Sequence, residues 1–109
     1  MKNIQLGKYG EMLAERIVAE NGYRIVETNF RCKTGEIDII AQQGNCYHFV
    51  EVKTRMGDSY GHPAEAVTKQ KQHRIIQAAK CYLHMKQIAN VQVQFDVIEI
   101  EVNMLMNCF

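Results

Sequence analysis

The chain has 109 residues, 47% of them hydrophobic, which is the size of one ordinary domain with one continuous core. Its net charge of +1 does not exclude a nucleic-acid partner, because a local basic surface suffices for phosphate contacts. No apolar run has the length of a membrane-spanning helix and residues 1–10 lack the pattern of a signal peptide, so we expect a cytoplasmic protein without a membrane partner.

A helix is predicted first. Its apolar stripe, with Ala14 and Val18 beside it, consists of Leu6, Gly10, Leu13 and Ile17. Asn21-Gly22 predicts the end of this helix, because both residue types accept the left-handed conformation common at helix C-termini.

Three strands are predicted next. The β-rich stretches run from Tyr23 to Phe30, from Gly35 to Ala41 and from Cys46 to Thr54. The sequence Gln43-Gly44-Asn45 supplies a short turn between the second and third stretches. These two strands are therefore predicted to form an antiparallel hairpin.

A loop, a helix and a strand complete the order. The stretch Arg55 to Pro63 is rich in glycine and holds the only proline, which indicates a loop. Thr68 is a suitable N-cap for a helix through about Lys86. Its apolar face would carry Ile75, Ile76, Ala79, Tyr82 and Leu83. The stretch from Val91 to Val102 alternates like a half-buried strand. Together these elements predict that residues 1–109 form one α/β domain with the order α-β-β-β-α-β, in which helices flank a mixed central sheet.

Acidic residues interrupt the second strand where a buried sheet would not require them. A period of two puts Ile37, Ile39 and Ala41 on one face of this strand. The same period puts Glu36 and Asp38 on the opposite face. A carboxylate would then project from a strand that is otherwise apolar.

The third strand carries Glu51 and Lys53 on one face, about 7 Å apart by the standard rise per residue. The predicted hairpin brings Asp38 beside them. Two carboxylates can hold a hard cation such as Mg²⁺ or Mn²⁺, and a neighbouring lysine can orient the water that the cation activates. None of the four cysteines forms a CxxC pair, so a zinc site is not expected.

An ordinary ion pair on a solvated sheet face would explain the same residues. Glu51 would then pair with Lys53, or Asp38 with a neighbouring lysine. For an isolated Glu-x-Lys on a strand this is the usual explanation. The presence of Asp38 on the preceding strand shifts the balance without deciding it.

Further motifs surround these residues over nearly the whole chain. They are Gly7-Lys8-Tyr9-Gly10-Glu11, Asn29-Phe30-Arg31, Gly35 to Ala41, Phe49 to Arg55, Tyr60-Gly61-His62-Pro63 and Phe95-Asp96-Val97-Ile98. In these motifs the chain resembles the YraN family of small bacterial proteins. That family looks related to the PD-(D/E)xK nuclease superfamily, which includes restriction endonucleases and archaeal Holliday-junction resolvases.

The resemblance implies a restriction-endonuclease-like core with Asp38 and Glu51 as metal ligands, the carbonyl of Val52 as a third ligand and Lys53 as the catalytic lysine. It also implies that Glu11 corresponds to the acid that related resolvases place on their first helix. Ile37 stands where the superfamily has a proline, a position that varies among its members. The expected activity is that of a Mg²⁺- or Mn²⁺-dependent endonuclease acting on DNA, including structured or branched DNA.

A basic rim is expected around the acidic site, because residues 31–86 contain nine basic and five acidic residues. The residues expected to contact nucleic acid are Arg31, Arg55, Tyr60, Lys69, Lys71 and Arg74. For any single basic residue, an ordinary solvated surface is the simpler explanation. Glu36 is either an outer metal ligand or part of the rim of the cleft.

Two other functions are compatible with the sequence. One is a nucleic-acid-binding module without turnover, since a fold does not fix a function. The other is a protein-interaction subunit, in which the strand from Val91 to Val102 provides the edge of a homodimer. A homodimer would also suit a nuclease that cuts two strands.

Overall fold

The computed structural model describes residues 3–57 and 67–109, and within them two helices pack on opposite faces of a four-stranded sheet. The elements are α1 (Asn3–Glu20), β1 (Arg24–Cys32), β2 (Gly35–Gln43), β3 (Cys46–Met56), α2 (Lys69–Met85) and β4 (Gln92–Val102). The predicted order and the mixed α/β class are confirmed. Neither helix in these ranges is long and apolar enough to cross a membrane.

Local signals set most of the element boundaries. Gly22 follows α1 with a positive φ of 88°, as a residue after a helix C-terminus often does. Gly44 has a φ of 58° in the turn between β2 and β3, which pair antiparallel as predicted. The Thr68 hydroxyl accepts a hydrogen bond from the Lys71 N–H at 3.1 Å and caps α2.

α1 covers one face of the sheet through its smallest side chains. Ala14 and Val18 are buried against Ile39, Ala41 and Val50. The predicted apolar stripe is wrong in part, because Leu13 and Ile17 are exposed. The helix contacts the sheet through a narrow face that includes Gly10. The larger side chains, Leu13 and Ile17, therefore point towards solvent.

α2 covers the other face, where the buried cluster is aromatic. Tyr82 packs edge-on against Phe30 and Phe49, with ring centroids 5.3 and 6.1 Å apart. Ile37 and Ile40 belong to the same cluster, whereas Ile39 and Ala41 belong to the cluster under α1. The prediction that Ile37, Ile39 and Ala41 share a face is therefore wrong at Ile37, and the alternation of β2 breaks at Asp38.

β4 pairs parallel to β3 and forms an edge of the sheet, in the order β1-β2-β3-β4. Its apolar residues Val93, Phe95 and Val97 are exposed, because α2 packs on β1 and β2. Ile98 and Ile100 on the opposite face are partly buried beside α1. The predicted strand is confirmed, but it is more exposed than predicted, because none of its residues is fully buried.

Gly10 brings α1 into close contact with β3. A Cβ at this position would overlap the Oγ1 of Thr54 and lie 2.8 Å from its Cβ. Gly7, one turn earlier, has no atom within 4 Å of the position that a Cβ would take. Of these two glycines, Gly10 alone is required by packing, and it sets the distance between α1 and β3.

We expect Gly10→Ala to lower the free energy of unfolding by about 1–3 kcal/mol, the usual cost of overpacking. Gly7→Ala is the matched control and should be neutral or stabilising, because alanine favours a helix by about 1 kcal/mol over glycine. Denaturant unfolding of both variants measures the difference. Equal effects of the two substitutions would contradict this packing argument.

Candidate active site

Asp38 lies where β2 and β3 stop pairing. The antiparallel register runs from Gln43↔Cys46 to Ile39↔Val50 and does not continue to Asp38. Beyond it, the Asp38 Oδ2 accepts a hydrogen bond from the N–H of Val52 at 2.8 Å. A side-chain carboxylate therefore satisfies a strand N–H there, which fixes the direction of Asp38.

Asn29 on β1 lies across from Asp38, between the pairs Thr28↔Ile39 and Phe30↔Ile37. Its φ is 53°, in the left-handed region that asparagine tolerates better than most residues. The backbone of β1 is thus irregular at the level at which the β2 alternation breaks, although the register is the same on both sides of Asn29 and shifts only between Ile25 and Glu27. From the sequence alone, Asn29 is identified only as part of a motif and is given no role, although an asparagine inside a β-rich stretch is an unusual choice that could have drawn attention.

Glu51 is buried on β3, with 6% of its surface exposed. One of its oxygens forms an ion pair with the Nζ of Lys71 on α2. Its carboxyl group also lies close enough to that of Asp38 to raise the pKa of Asp38.

The pKa of Asp38 is raised to about 7. Burial is the largest cause, followed by the hydrogen bond to Glu51, and the charges of Glu51 and Glu11 add to the increase. The Val52 N–H opposes the shift, because it stabilises the ionised form. Near neutral pH, Asp38 is therefore only partly ionised.

Glu11 reaches the same region from α1. It lines a cleft of about 380 Å³ with Leu6, Gly7, Val52 and Thr54, among others. Its pKa is raised, first by burial and then by the charges of Glu15, Glu36 and Glu51. The predicted acids on α1, β2 and β3 therefore lie within electrostatic range of one another.

Lys53 lies on the α2 side of the sheet, the side that also carries Glu51. Both residues line a cleft of about 520 Å³, whose other walls come from β4 and α2. In the parallel register, Lys53 lies beside Glu99 of β4. The predicted common face of Glu51 and Lys53 is confirmed.

The predicted basic residues divide into two groups. Lys71 and Arg74 line a cleft of about 700 Å³ together with Arg31, whose Nε lies 3.2 Å from Glu36. Lys69 is exposed at the start of α2. Arg55 is instead held against β4 by ion pairs with Glu99 and Glu101. Tyr60 lies outside the described residues.

The donor set at Asp38 and Glu51 consists of hard oxygens. Among residues 3–57 and 67–109, no three His, Cys, Asp or Glu side chains converge closely enough to bind an ion together. A cation held here would therefore depend on two carboxylates, a backbone oxygen and water. Mg²⁺ accepts such a set, because it keeps several waters and takes few protein ligands.

Comparison with known proteins identifies the relatives of this chain. The sequence model described as uncharacterised protein family UPF0102 matches residues 10–100. A UPF0102 protein of Clostridium perfringens is 52% identical over 98 residues, which cover 90% of this chain and 80% of that protein. A UPF0102 protein of Hahella chejuensis is 47% identical over 98 residues, covering 90% and 79% of the two chains. The resemblance to the YraN proteins, which belong to UPF0102, is confirmed.

Metal-free protein is expected to lose stability relative to Asp38→Asn as the pH rises from about 4 to 7. The Asp38 pKa is raised from 3.8 to about 7, so the folded state binds the proton more tightly than the unfolded state does. This contribution is fully present below pH 3.8 and is lost as the pH rises through about 7. Denaturant unfolding of both proteins in EDTA measures it. A difference between the two proteins that does not change with pH would contradict the assignment.

Asn29→Val is expected to destabilise the fold by about 1–3 kcal/mol, because a β-branched residue tolerates a positive φ poorly. Asn29→Gly is the matched control, since glycine adopts this conformation without strain. Unfolding experiments compare the two variants. If valine were tolerated as well as glycine, the irregularity at Asn29 would not constrain β1.

Proposed function

The chain belongs to the UPF0102 family, and we propose that it is a metal-dependent endonuclease that hydrolyses phosphodiester bonds of DNA. One observation carries the proposal: the carboxyl groups of Asp38 and Glu51 lie within interaction range of each other where the β2–β3 ladder ends. Two neighbouring acids repel each other when both are ionised, and a divalent cation removes that repulsion. Lys53 lines the same cleft as Glu51.

Asp38 and Glu51 would hold Mg²⁺ or Mn²⁺, with the backbone carbonyl of Val52 as a third ligand. The Val52 N–H points towards β2, and the N–H and C=O of one strand residue point in the same direction. When bound, the cation polarises the phosphodiester and lowers the pKa of a bound water.

The protein's own residues would hold the metal ligands in position and would stabilise the charge on the phosphate. The Val52 N–H holds Asp38 in place, and the burial of Glu51 keeps its position defined. Lys53 carries a positive charge that would orient the attacking water and stabilise charge on the phosphate. Glu11, on the α1 side of Val52, would act on the same water or on a neighbouring ligand position.

The order of these residues supports membership of the PD-(D/E)xK superfamily. Asp38 lies on one strand of a hairpin, and Glu51-Val52-Lys53 lies on the next. A helix precedes the hairpin and a helix and a strand follow it, as in a restriction-endonuclease-like core. Ile37 takes the position of the proline, and because it is buried beside Phe30 it has a packing role of its own.

A nucleic-acid-binding module without turnover is the second candidate. The ion pair between Lys71 and Glu51 favours this second candidate, because the lysine neutralises one of the two acids without a metal ion. This candidate predicts DNA binding that needs no metal and survives Asp38→Asn. The nuclease proposal predicts cleavage that requires a metal ion and is lost in Asp38→Asn.

Purified protein is expected to cut labelled duplex, flap or junction DNA in the presence of Mg²⁺ or Mn²⁺. Lys53→Ala and Asp38→Asn should each lower the rate at least about 100-fold, the scale seen when a group that stabilises transition-state charge is removed. Lys86→Ala, at the far end of α2, is the control and should cut like the wild type.

The variants must retain the unfolding midpoint and the circular dichroism spectrum of a folded protein for this comparison to be valid. Absence of cleavage by the wild type, or equal cleavage by Lys53→Ala, would overturn the proposal. Cleavage that persists in EDTA would exclude the metal.

A further inference from the structure

Lys71 belongs to two features at once. Its ammonium forms an ion pair with the buried Glu51, yet 52% of its side chain is exposed. It also lines the cleft between the β1–β2 turn and the first turns of α2. A flexible lysine in this position can reach both the acidic site and a ligand in the cleft.

This basic cleft is lined by four basic side chains and one acidic one: Arg31, Lys33, Lys71 and Arg74, with Glu36. Its volume is about 700 Å³. Gly35 brings the β1–β2 turn against α2, since a Cβ there would lie 3.0 Å from the carbonyl oxygen of Arg74. The basic side chains of two separate elements are thereby held around one space.

The cleft on the other side of Glu51, towards β4, is acidic and apolar rather than basic. Among the described residues, the cleft towards β4 is lined by Glu51, Asp96 and Glu99 and by one basic residue, Lys53, and most of its other lining residues are apolar. Glu99 and Glu101 already engage Arg55 there. Of the two clefts, the basic cleft is therefore the more favourable one for the backbone of a polyanion.

We propose that the basic cleft holds the DNA backbone next to the acidic site, and that Lys71 exchanges Glu51 for a DNA phosphate. This inference rests on the proposed function. An ammonium and a divalent cation compete for the negative charge of the same carboxylate, so a cation bound to Glu51 weakens the ion pair with Lys71 and favours its release. A DNA phosphate that Arg31, Lys33 and Arg74 attract then competes with the neighbouring carboxylates for the released ammonium.

The exchange predicts opposite effects of Lys71→Met on two equilibria. Mn²⁺ binding, measured by calorimetry without DNA, should become about fivefold tighter, because the competing ammonium is gone. Binding of a labelled DNA duplex, measured by anisotropy in EDTA, should weaken. Its salt dependence should fall by about one unit of slope, as expected for one lost phosphate contact.

Three further variants complete the experiment. Lys33→Ala and Arg74→Ala should weaken DNA binding in the same way and leave Mn²⁺ affinity unchanged. Lys86→Met removes an exposed lysine at the other end of α2 and should change neither equilibrium. Methionine at position 71 keeps the length of the side chain, and the unfolding midpoint verifies that each variant is folded.

Each outcome has one meaning. Unchanged or weaker Mn²⁺ affinity in Lys71→Met would overturn the exchange, even if the wild type cuts DNA. Unchanged DNA affinity in both Lys33→Ala and Arg74→Ala would overturn the assignment of the cleft. A wild type that binds Mn²⁺ and behaves as described but never cuts DNA would refute the proposed turnover and leave this inference standing. A wild type that binds no Mn²⁺ would refute both.

Discussion

The contact between the carboxyl groups of Asp38 and Glu51 constrains the part of the fold around it. Two neighbouring ionised carboxylates repel each other in a partly buried site, so their charge must be offset by hydrogen bonds, by a cation or by a proton on Asp38. The protein uses three neutralising contacts at once. The Val52 N–H binds Asp38, Lys71 binds Glu51, and a proton remains at Asp38 near neutral pH. In the proposed function, a divalent cation would take the place of this proton.

Close backbone approaches position the groups around this pair. Because residue 10 is a glycine, α1 packs closely against Thr54. This close packing places Glu11 in the same cleft as Val52. Asn29 interrupts β1 at the level of Asp38, and Gly35 lets the β1–β2 turn reach Arg74. Small or permissive residues at these points allow side chains from α1, β2, β3 and α2 to meet at one end of the sheet.

Local physical signals made much of the fold predictable from the sequence. The turn Gln43-Gly44-Asn45, the cap at Thr68 and the end of α1 at Asn21-Gly22 act over a few residues, and each was identified correctly. The common face of Glu51 and Lys53 follows from the period of a strand. These features depend on backbone geometry that neighbouring residues determine.

Features that depend on distant contacts were not predictable in the same way. The pairing of Glu51 with Lys71 joins residues on β3 and α2, and strand periodicity carries no information about it. The exposure of Leu13 and Ile17 follows from the close approach of Gly10 to β3, and the exposure of Phe95 follows from the position of α2 over β1 and β2. The break at Asp38 needs both the carboxylate contact to Val52 and the irregular backbone of Asn29.

The most direct test of this account is a crystal structure of the protein with Mn²⁺, in which anomalous scattering locates the ion. The account predicts one ion that contacts the carboxylates of Asp38 and Glu51 and the carbonyl of Val52, with Lys71 displaced from Glu51 towards the basic cleft. An ion bound elsewhere, or none, with the proton and Lys71 still neutralising the two acids, would contradict it.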